Sequence, residues 1–367
     1  MVPVAWRMIV EAKGRFAITA IGIGFTVMLM LFLLAVYEGV KSGAKTYVLQ
    51  IPAQVWVSQR NSTNLIKTSS FVPVPIGDRL RQVPGVQSVN GILRTIAPAE
   101  FDSETVTLFI FGFDIQTQIG APKIISGTAN LRTGEIILDN AFAATHNLEL
   151  GESLQIQGRS FRVAGISEGT NLIVGQFAFA TLNDVSELLG LSEVRSFFLL
   201  QLEPENYQSV LEDLRDTFPD LLFTPSAELA QNNVAEMEIG VLPILWTIVI
   251  FGSITGATVI VLMMYTAVLE KREDYAMLKA VGANQNFLVK LVLKQSIIAS
   301  VAGFTLGLTV DLMLSPILST IIPALLMVFV WQDATVVFIG SLAIGILGAW
   351  ASLRTLRNIY PGEVFRA

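Results

Sequence analysis

Three stretches of this chain contain no charged residue at all: Phe16 to Tyr37, Ile239 to Leu269 and Ala334 to Leu353. Each reaches the roughly 20 residues that a helix needs to cross the hydrocarbon core of a bilayer. With 52% of its 367 residues hydrophobic, the chain is too apolar for a soluble domain of this length. Between Val289 and Val330 only Lys290, Lys294 and Asp311 interrupt apolar sequence, so that region accommodates either one span with an apolar hairpin or two spans. Lys and Arg near span ends favour the cytoplasm. Arg7, Lys13 and Arg15 precede the first span, Lys271, Arg272 and Lys279 follow the second, and Arg354 and Arg357 follow the last. These clusters share a side only with four spans. The first span is expected to be retained rather than cleaved as a signal peptide, because its apolar run is too long and no clean small-residue site follows.

The pattern predicts a membrane α-helical protein with four transmembrane helices and an α+β extracytoplasmic domain inserted between helices 1 and 2. Residues 1–15 read as a cytoplasmic amphipathic helix, either an anchor or a second partner contact. The first span, 16–37, continues without a breaker to about residue 50, far enough to project as a stalk. Residues 51–227 form the extracytoplasmic domain in two subdomains, and 228–269 a second stalk and span. A cytoplasmic loop occupies 270–288, the third span 289–314, an outer apolar loop broken by Pro316 and Pro323 the stretch 315–333, the fourth span 334–353, and a cytoplasmic tail 354–367.

Residues 38–238 carry thirteen Lys and Arg against twenty-three Asp and Glu. That acidity argues against nucleic acid or anionic headgroups as partners for the outer domain. β-Branched and aromatic runs such as "QVWVSQ", "ETVTLFIFGFD" and "SFFLLQLE" predict strands. "IGDRLRQVPGVQSV" predicts a helix ended by Pro84-Gly85, and "GEIILDNAFAATHNLELGESLQIQGRSFRVAGI" a strand, a short helix and a hairpin turning near Gly158. "ATLNDVSELLGL" and "NYQSVLEDLRDTFPDL" predict two more helices.

Little in the chain supports catalysis. "GISEG" (165–169) matches the G-x-S-x-G nucleophile pattern but lacks the strand-turn-helix context and a later histidine, so Ser167 is expected in a loop leaving a hairpin strand. His146 has no partner set for a metal. There is no cysteine, and no phosphate-binding G-x-x-x-x-G-K-[ST] motif occurs. The chain is therefore read as no enzyme and as holding no cofactor; ATP and Mg would be bound by a partner. Asp311, flanked by apolar sequence, is either an ion relay or a residue near the outer interface. Small residues recur at helix-packing spacing: Ala20 and Gly24, Gly252 and Gly256, Gly303 and Gly307, Ser341 and Gly345. They predict tight helix packing, within one chain or between two copies.

The most unusual segment is "VLEKREDYAMLKAVGANQNFLVKLVLKQS" (268–296), dense in charge between apolar runs. On a helix starting near Leu269, Tyr275, Leu278 and Val281, joined by Met277, form an apolar stripe. Glu270, Lys271, Glu273, Asp274 and Lys279 point elsewhere. Gly282 is placed to end this helix and Asn284 to cap the next. Charges of both signs around apolar knobs suit docking to a protein groove.

This segment resembles the hallmark E-x-x-E-aromatic-x-x-LKA-x-GA loop of the MacB/FtsX-type ABC transporter permeases. The stretch 134–166 is similar to their extracytoplasmic core domain, "RMIVEAKGRFAITAIGIGFTV" to their entry into the first span, and "LRTLRNIYPGEVF" to their ending. "PVAW", "GIGF", "DYAMLKAVG" and "PGEVF" look closest to DevC-type permeases of tripartite exporters. Asp274-Tyr275 stands where many relatives carry a single apolar residue.

The resemblance implies a homodimer in the bacterial inner membrane with cytoplasmic termini, each copy bound to a separate ABC ATPase. Glu270, Lys271, Arg272, Glu273, Tyr275, Leu278, Lys279 and Gly282 would form the coupling contact. It implies export by mechanical transmission to the outer domain, with a periplasmic adaptor and an outer-membrane duct. Two alternatives stay open: a signalling subunit that activates a cell-wall hydrolase, and a lipoprotein-releasing permease.

Overall fold

The computed structural model describes residues 13–101, 104–172 and 175–357. The amphipathic segment expected at 1–15 falls outside them except for its last residues, and so does the Pro361–Phe365 ending. The chain forms two compact units: a helical one (1–38, 244–318 and 327–367) and a mixed one (39–243 and 319–326). Helix α1 (Lys13–Gln50) contributes to both, because Glu38 and Gly39 fall on either side of the division. Its 38 residues rise about 57 Å at 1.5 Å each, roughly twice the depth of a hydrocarbon core.

The mixed unit contains, in chain order, β1 (Val55–Gln59), β2 (Val72–Pro73), α2 (Val74–Arg81), β3 (Val86–Phe101), β4 (Glu104–Phe113), β5 (Lys123–Gly127), β6 (Glu135–Asp139), α3 (Asn140–Thr145), β7 (Ser153–Ile156), β8 (Arg159–Glu168), β9 (Asn171–Leu172), β10 (Gly175–Thr181), α4 (Leu182–Leu189), β11 (Val194–Arg195), β12 (Phe197–Leu202), α5 (Tyr207–Thr217), β13 (Leu221–Pro225) and α6 (Ser226–Gly240). The expected strands and helices appear where the residue patterns put them. The turn of the β7–β8 hairpin falls at Gln157-Gly158, both with positive φ, the backbone that a two-residue hairpin of matching twist requires.

One sheet, ordered β13-β1-β12-β3-β4-β10-β6-β8-β5, supports two hydrophobic cores. The long strand β3 joins them: Val86 to Ile92 pair with β12, and Leu93 to Phe101 with β4. Most neighbours are antiparallel, but β4–β10 and β6–β8 are parallel. The first core gathers Val55, Leu80, Phe198, Leu214 and Phe223, and the second gathers Leu93, Ile110, Phe142, Phe161 and Val185.

The C-terminal part of α1 is keyed into this unit by two side chains. The Tyr47 ring, 2% exposed, lies among Trp56, Phe111, Phe177 and Phe179 with centroids 5.2–6.4 Å away, and its hydroxyl donates to Gly120 O at 3.0 Å. Aromatic contacts of this kind add to the burial of large rings. Asn233 of α6, also 2% exposed, donates from Nδ2 to Ala44 O (3.1 Å) and accepts from Leu65 N (2.9 Å) through Oδ1. One amide thereby ties α1, α6 and the loop after β1.

The helical unit adds α7 (Leu242–Leu269), α8 (Arg272–Ala280), α9 (Gln285–Ile321) and α10 (Trp331–Arg357). Among the described residues α1, α7, α9 and α10 are long and apolar enough to cross a membrane. Their shared core comprises Ile23, Val27, Leu31, Ile260, Met264, Ala299, Ala334 and Val337.

The small residues sit at helix contacts inside this one chain. A Cβ on Gly303 would stand 2.6 Å from Ile23 Cβ and 3.2 Å from Ala20 O, and one on Gly307 would collide with the Gly24 carbonyl. On the other side of α1, a Cβ on Gly252 would meet Leu33 at 2.7 Å, and one on Gly256 would meet Met30 Cε at 2.7 Å. Gly345 leaves the room that the Ser300 hydroxyl occupies. Helices without side chains at the contact approach closely, which is how apolar helices gain packing energy where lipid competes equally for apolar surface.

One boundary differs from expectation. Pro316 does not break the third span: α9 runs through it to Ile321, and only 322–330 separate it from α10. A proline removes one ladder bond, but unwinding apolar helix would leave several backbone groups with no water to pair them. The neighbouring Ser315 hydroxyl turns back to donate to Asp311 O at 2.8 Å.

Two substitutions test these contacts. Tyr47→Ala should destabilise the mixed unit by about 3 kcal/mol or more, while Tyr47→Phe, which keeps the ring, should cost only about 1 kcal/mol; denaturant unfolding of the purified chain measures both. Gly307→Val should force α1 and α9 apart and lower the thermal midpoint in detergent, whereas Gly340→Val, at a glycine with nothing within 4 Å, should leave it nearly unchanged.

Candidate functional site

The segment linking α7 to α9 is built so that one side is held and the other is presented. Helix α8 starts after Lys271, and Glu273 and Asp274 in its first turn and Lys279 in its last complement the helix dipole. It ends on Gly282 at φ +100°, with Gly282 N donating to Lys279 O (3.1 Å) and Ala283 N to Leu278 O (3.0 Å). This paired closure needs a left-handed residue, and glycine adopts it without Cβ strain. Asn284 then caps α9, its Oδ1 accepting from Phe287 N at 2.8 Å.

Tyr275 and Leu278 do not form the outward knobs expected of them. Tyr275 is 2% exposed and packs with Val268, Leu288, Leu291, Val292 and Ala349, with Leu278 half-buried against the same cluster. The Tyr275 hydroxyl donates to Gln295 Oε1 at 2.8 Å. Burial, with the Asp274 charge beside it, pushes the phenol well above its ordinary pKa, so it stays a donor. The physical reason for the inward turn is that a short helix cannot bury its own apolar stripe, and the ends of α7 and α9, with Ala349 of α10, offer it an apolar wall. Tyr275 and Leu278 therefore pack α8 against the ends of α7 and α9.

The presented side is different. Met277 (51% exposed) and Val281 (90%) face away from the bundle, and Arg272, Glu273, Asp274 and Gly282 are exposed around them. Glu270 is exposed too, its Oε2 3.8 Å from Arg15 Nε, while Lys271 and Lys279 are half-buried. The outward set thus consists of two apolar side chains within a rim of both signs, the composition of a surface that docks to protein. Met277 was legible only as a joining residue; its outward direction depends on which neighbours claimed Tyr275.

Other candidates lie elsewhere. Ser167 is fully buried near the end of β8, not in a leaving loop; its hydroxyl shares a hydrogen bond with Thr170 Oγ1 (2.8 Å), which bonds Asp139 Oδ2 (2.6 Å). Asp139 caps α3 by accepting from Ala141 N at 2.8 Å. Burial raises its pKa, while the bonds from Thr170 and Ala141 pull it back. This network closes the β6–α3 and β8–β9 corners and exposes no nucleophile. His146, at the C-terminus of α3, meets Phe101 edge to face (71°) and Phe142 at a tilt (52°), both ring centroids at 4.7 Å. Asp311 is 2% exposed, one turn beyond Gly307 on the buried face of α9, and its Oδ2 has no hydrogen-bond partner among the described residues.

Two family models match the chain: the MacB-like periplasmic core domain over residues 16–217 and the FtsX-like permease C-terminal over 246–361. An uncharacterised ABC transporter permease of Mycobacterium tuberculosis is 23% identical over 372 residues, covering 99% of this chain and 97% of that one. A Staphylococcus haemolyticus protein whose name assigns it to a hemin transport system as permease HrtB is 18% identical over 367 residues, covering 98% and 97%. Among solved structures, the periplasmic region of MacB from Actinobacillus actinomycetemcomitans is 13% identical with a TM-score of 0.39, covering 50% of this chain and 94% of that one. The first family model alone spans more than half of the sequence and the second takes in three of the four apolar helices; the chain belongs to the MacB/FtsX family of ABC transporter permeases, integral membrane subunits that work with an ATPase.

Proposed function

We propose that this permease is the motion-transmitting subunit of an exporter, with α8 as the seat of its ATPase. The observation that carries the reading is the two-sidedness of α8. Met277, Val281 and the charged rim are exposed on one side, while Tyr275 and Leu278 fasten the same helix to the ends of α7 and α9. A push on the outward side is passed to two spans rather than absorbed by a loop. The positive clusters at Lys13 and Arg15 and at Lys271, Arg272 and Lys279 support a cytoplasmic orientation for this end in a bacterial inner membrane. ATP and Mg belong to the partner.

At the other end, Tyr47 and Asn233 lock α1 and α6 into the mixed unit, so that displacement of these helices displaces the extracytoplasmic domain. Two copies, each with its own ATPase, would move two such domains against each other and drive cargo toward a periplasmic adaptor and an outer-membrane duct, as in DevC-type systems. The extent of the mixed unit, residues 39–243 with 319–326, favours export over hydrolase activation.

Met277→Asp combined with Val281→Asp should abolish co-purification of the ATPase from native membranes while leaving insertion and thermal stability intact, because both side chains are already exposed. Retained ATPase would remove α8 as its seat. Cross-linking of the native complex should capture a periplasmic adaptor; recovery of a peptidoglycan hydrolase or a lipoprotein chaperone in its place would overturn the export reading.

A further inference from the structure

Strand β3 changes partners between Ile92, which pairs with Phe197 of β12, and Leu93, which pairs with Gly112 of β4. Beside that switch, within the mixed unit and where its two hydrophobic cores adjoin, opens a cleft of about 510 Å³. Residues 86–91 of β3 line it together with Asp78 and Arg81 of α2, Asp114 and Thr117 of the loop after β4, and Arg195 of β11. Clefts of this volume at the junction of two packed bodies are where small ligands bind most often.

Four charged side chains line this space, and two of them are spent on each other. Arg81 Nη1 donates to Asp78 Oδ1 at 2.5 Å, and its Nη2 to Val89 O at 3.3 Å. Arg195 is held differently. It is half-buried and lies over Gly91, where a Cβ would stand 2.8 Å from its Cδ and 3.0 Å from its Nε. Its Nη1 donates to Ser192 O at 2.9 Å and to Val194 O at 2.7 Å, while Nε and Nη2 have no hydrogen-bond partner among the described residues. Burial pulls the pKa of this guanidinium down, and the charge of the exposed Glu193 offsets only part of that. Asp114 is half-buried as well; its Oδ1 accepts from Gln116 N at 2.9 Å, and its Oδ2 has no hydrogen-bond partner among the described residues. Arg195 and Asp114 form no ion pair with each other. Between them in the lining lies Asn90, 6% exposed, whose amide makes one long bond, from Nδ2 to Ser88 Oγ at 3.4 Å.

We infer that this cleft binds a small zwitterion of amino-acid type, a free amino acid or a dipeptide, with its carboxylate on Nε and Nη2 of Arg195 and its ammonium on Oδ2 of Asp114. That edge of a guanidinium presents two parallel N–H donors, the geometry that a carboxylate accepts best. A ligand of one sign would leave the opposite charge of the cleft unanswered, and a neutral ligand would leave both, half-buried and without a counter-charge. Ser88, Asn90 and Thr117 add hydrogen-bonding groups that an apolar occupant would leave unpaired. The site lies wholly in the mixed unit and does not depend on what docks on α8.

The test is a ligand-observed NMR titration of the full-length chain in detergent with glutamine and with alanyl-alanine, each also supplied as its N-acetyl and its C-amide form. At least one of the two zwitterions should bind, about tenfold or more tighter than either of its capped forms. Arg195→Gln should lower its affinity to that of the amide, and Asp114→Asn, which keeps an acceptor for Gln116 N, to that of the N-acetyl form. Arg60→Gln, at an exposed cation outside the cleft, should change nothing. Absence of binding by both zwitterions at millimolar concentration, capped forms that bind as well as the zwitterion, or a folded Arg195→Gln or Asp114→Asn chain that keeps the full preference would each overturn the assignment; should one of these variants fail to fold, the other decides alone.

Discussion

The structure depends on a single helix that serves two hydrophobic cores. Along α1, Ile23, Val27 and Leu31 are buried in the helical unit, and Ala44, Tyr47 and Val48 in the mixed unit. Each set is held by a different kind of contact. The first relies on glycines of α9 that let two backbones approach, since lipid offers apolar side chains as good a home as protein does. The second relies on an aromatic cluster and two buried hydrogen bonds, which gain their value from the exclusion of water. Without either, a force on one part of α1 would be lost as local rotation or fraying.

A comparable division of labour occurs in α8 on the scale of nine residues. Its buried face is specified by packing and one Tyr–Gln hydrogen bond, and its exposed face carries Met277, Val281 and charges of both signs. The Gly282 closure and the Asn284 cap make the corner between α8 and α9 tight, so the outward residues keep a defined direction relative to the apolar helices. Recognition surfaces need such support, because side chains on a mobile loop pay an ordering cost on every docking event.

Polar groups inside the helical unit divide into those with partners and those without. The Tyr275 hydroxyl donates to Gln295 Oε1, and the Ser315 hydroxyl donates to the Asp311 carbonyl one turn back. Ser296, Ser300 and Asp311 each have a buried side-chain oxygen with no hydrogen-bond partner among the described residues, on the buried face of α9. An apolar surrounding makes each of these expensive.

By itself the sequence determined the elements. Charge-free runs can only be apolar helices, β-branched alternation made β1, β4 and β12 legible, and Gly158, Gly282 and Asn284 announced their turns and cap because each answers a local backbone demand. The order of strands was not local: β3 carries no mark that its first half pairs with β12 and its second with β4, since pairing is a property of two segments. Pro316 looked like a stop because its cost is local, while the benefit of continuing belongs to the whole helix. Tyr275, Leu278, Met277 and Val281 read as one stripe, and only the neighbouring ends of α7 and α9 decided which of them would be buried. Tertiary structure settles such questions because burial is a competition between side chains for one apolar wall, and the wall is assembled from residues distant in the chain.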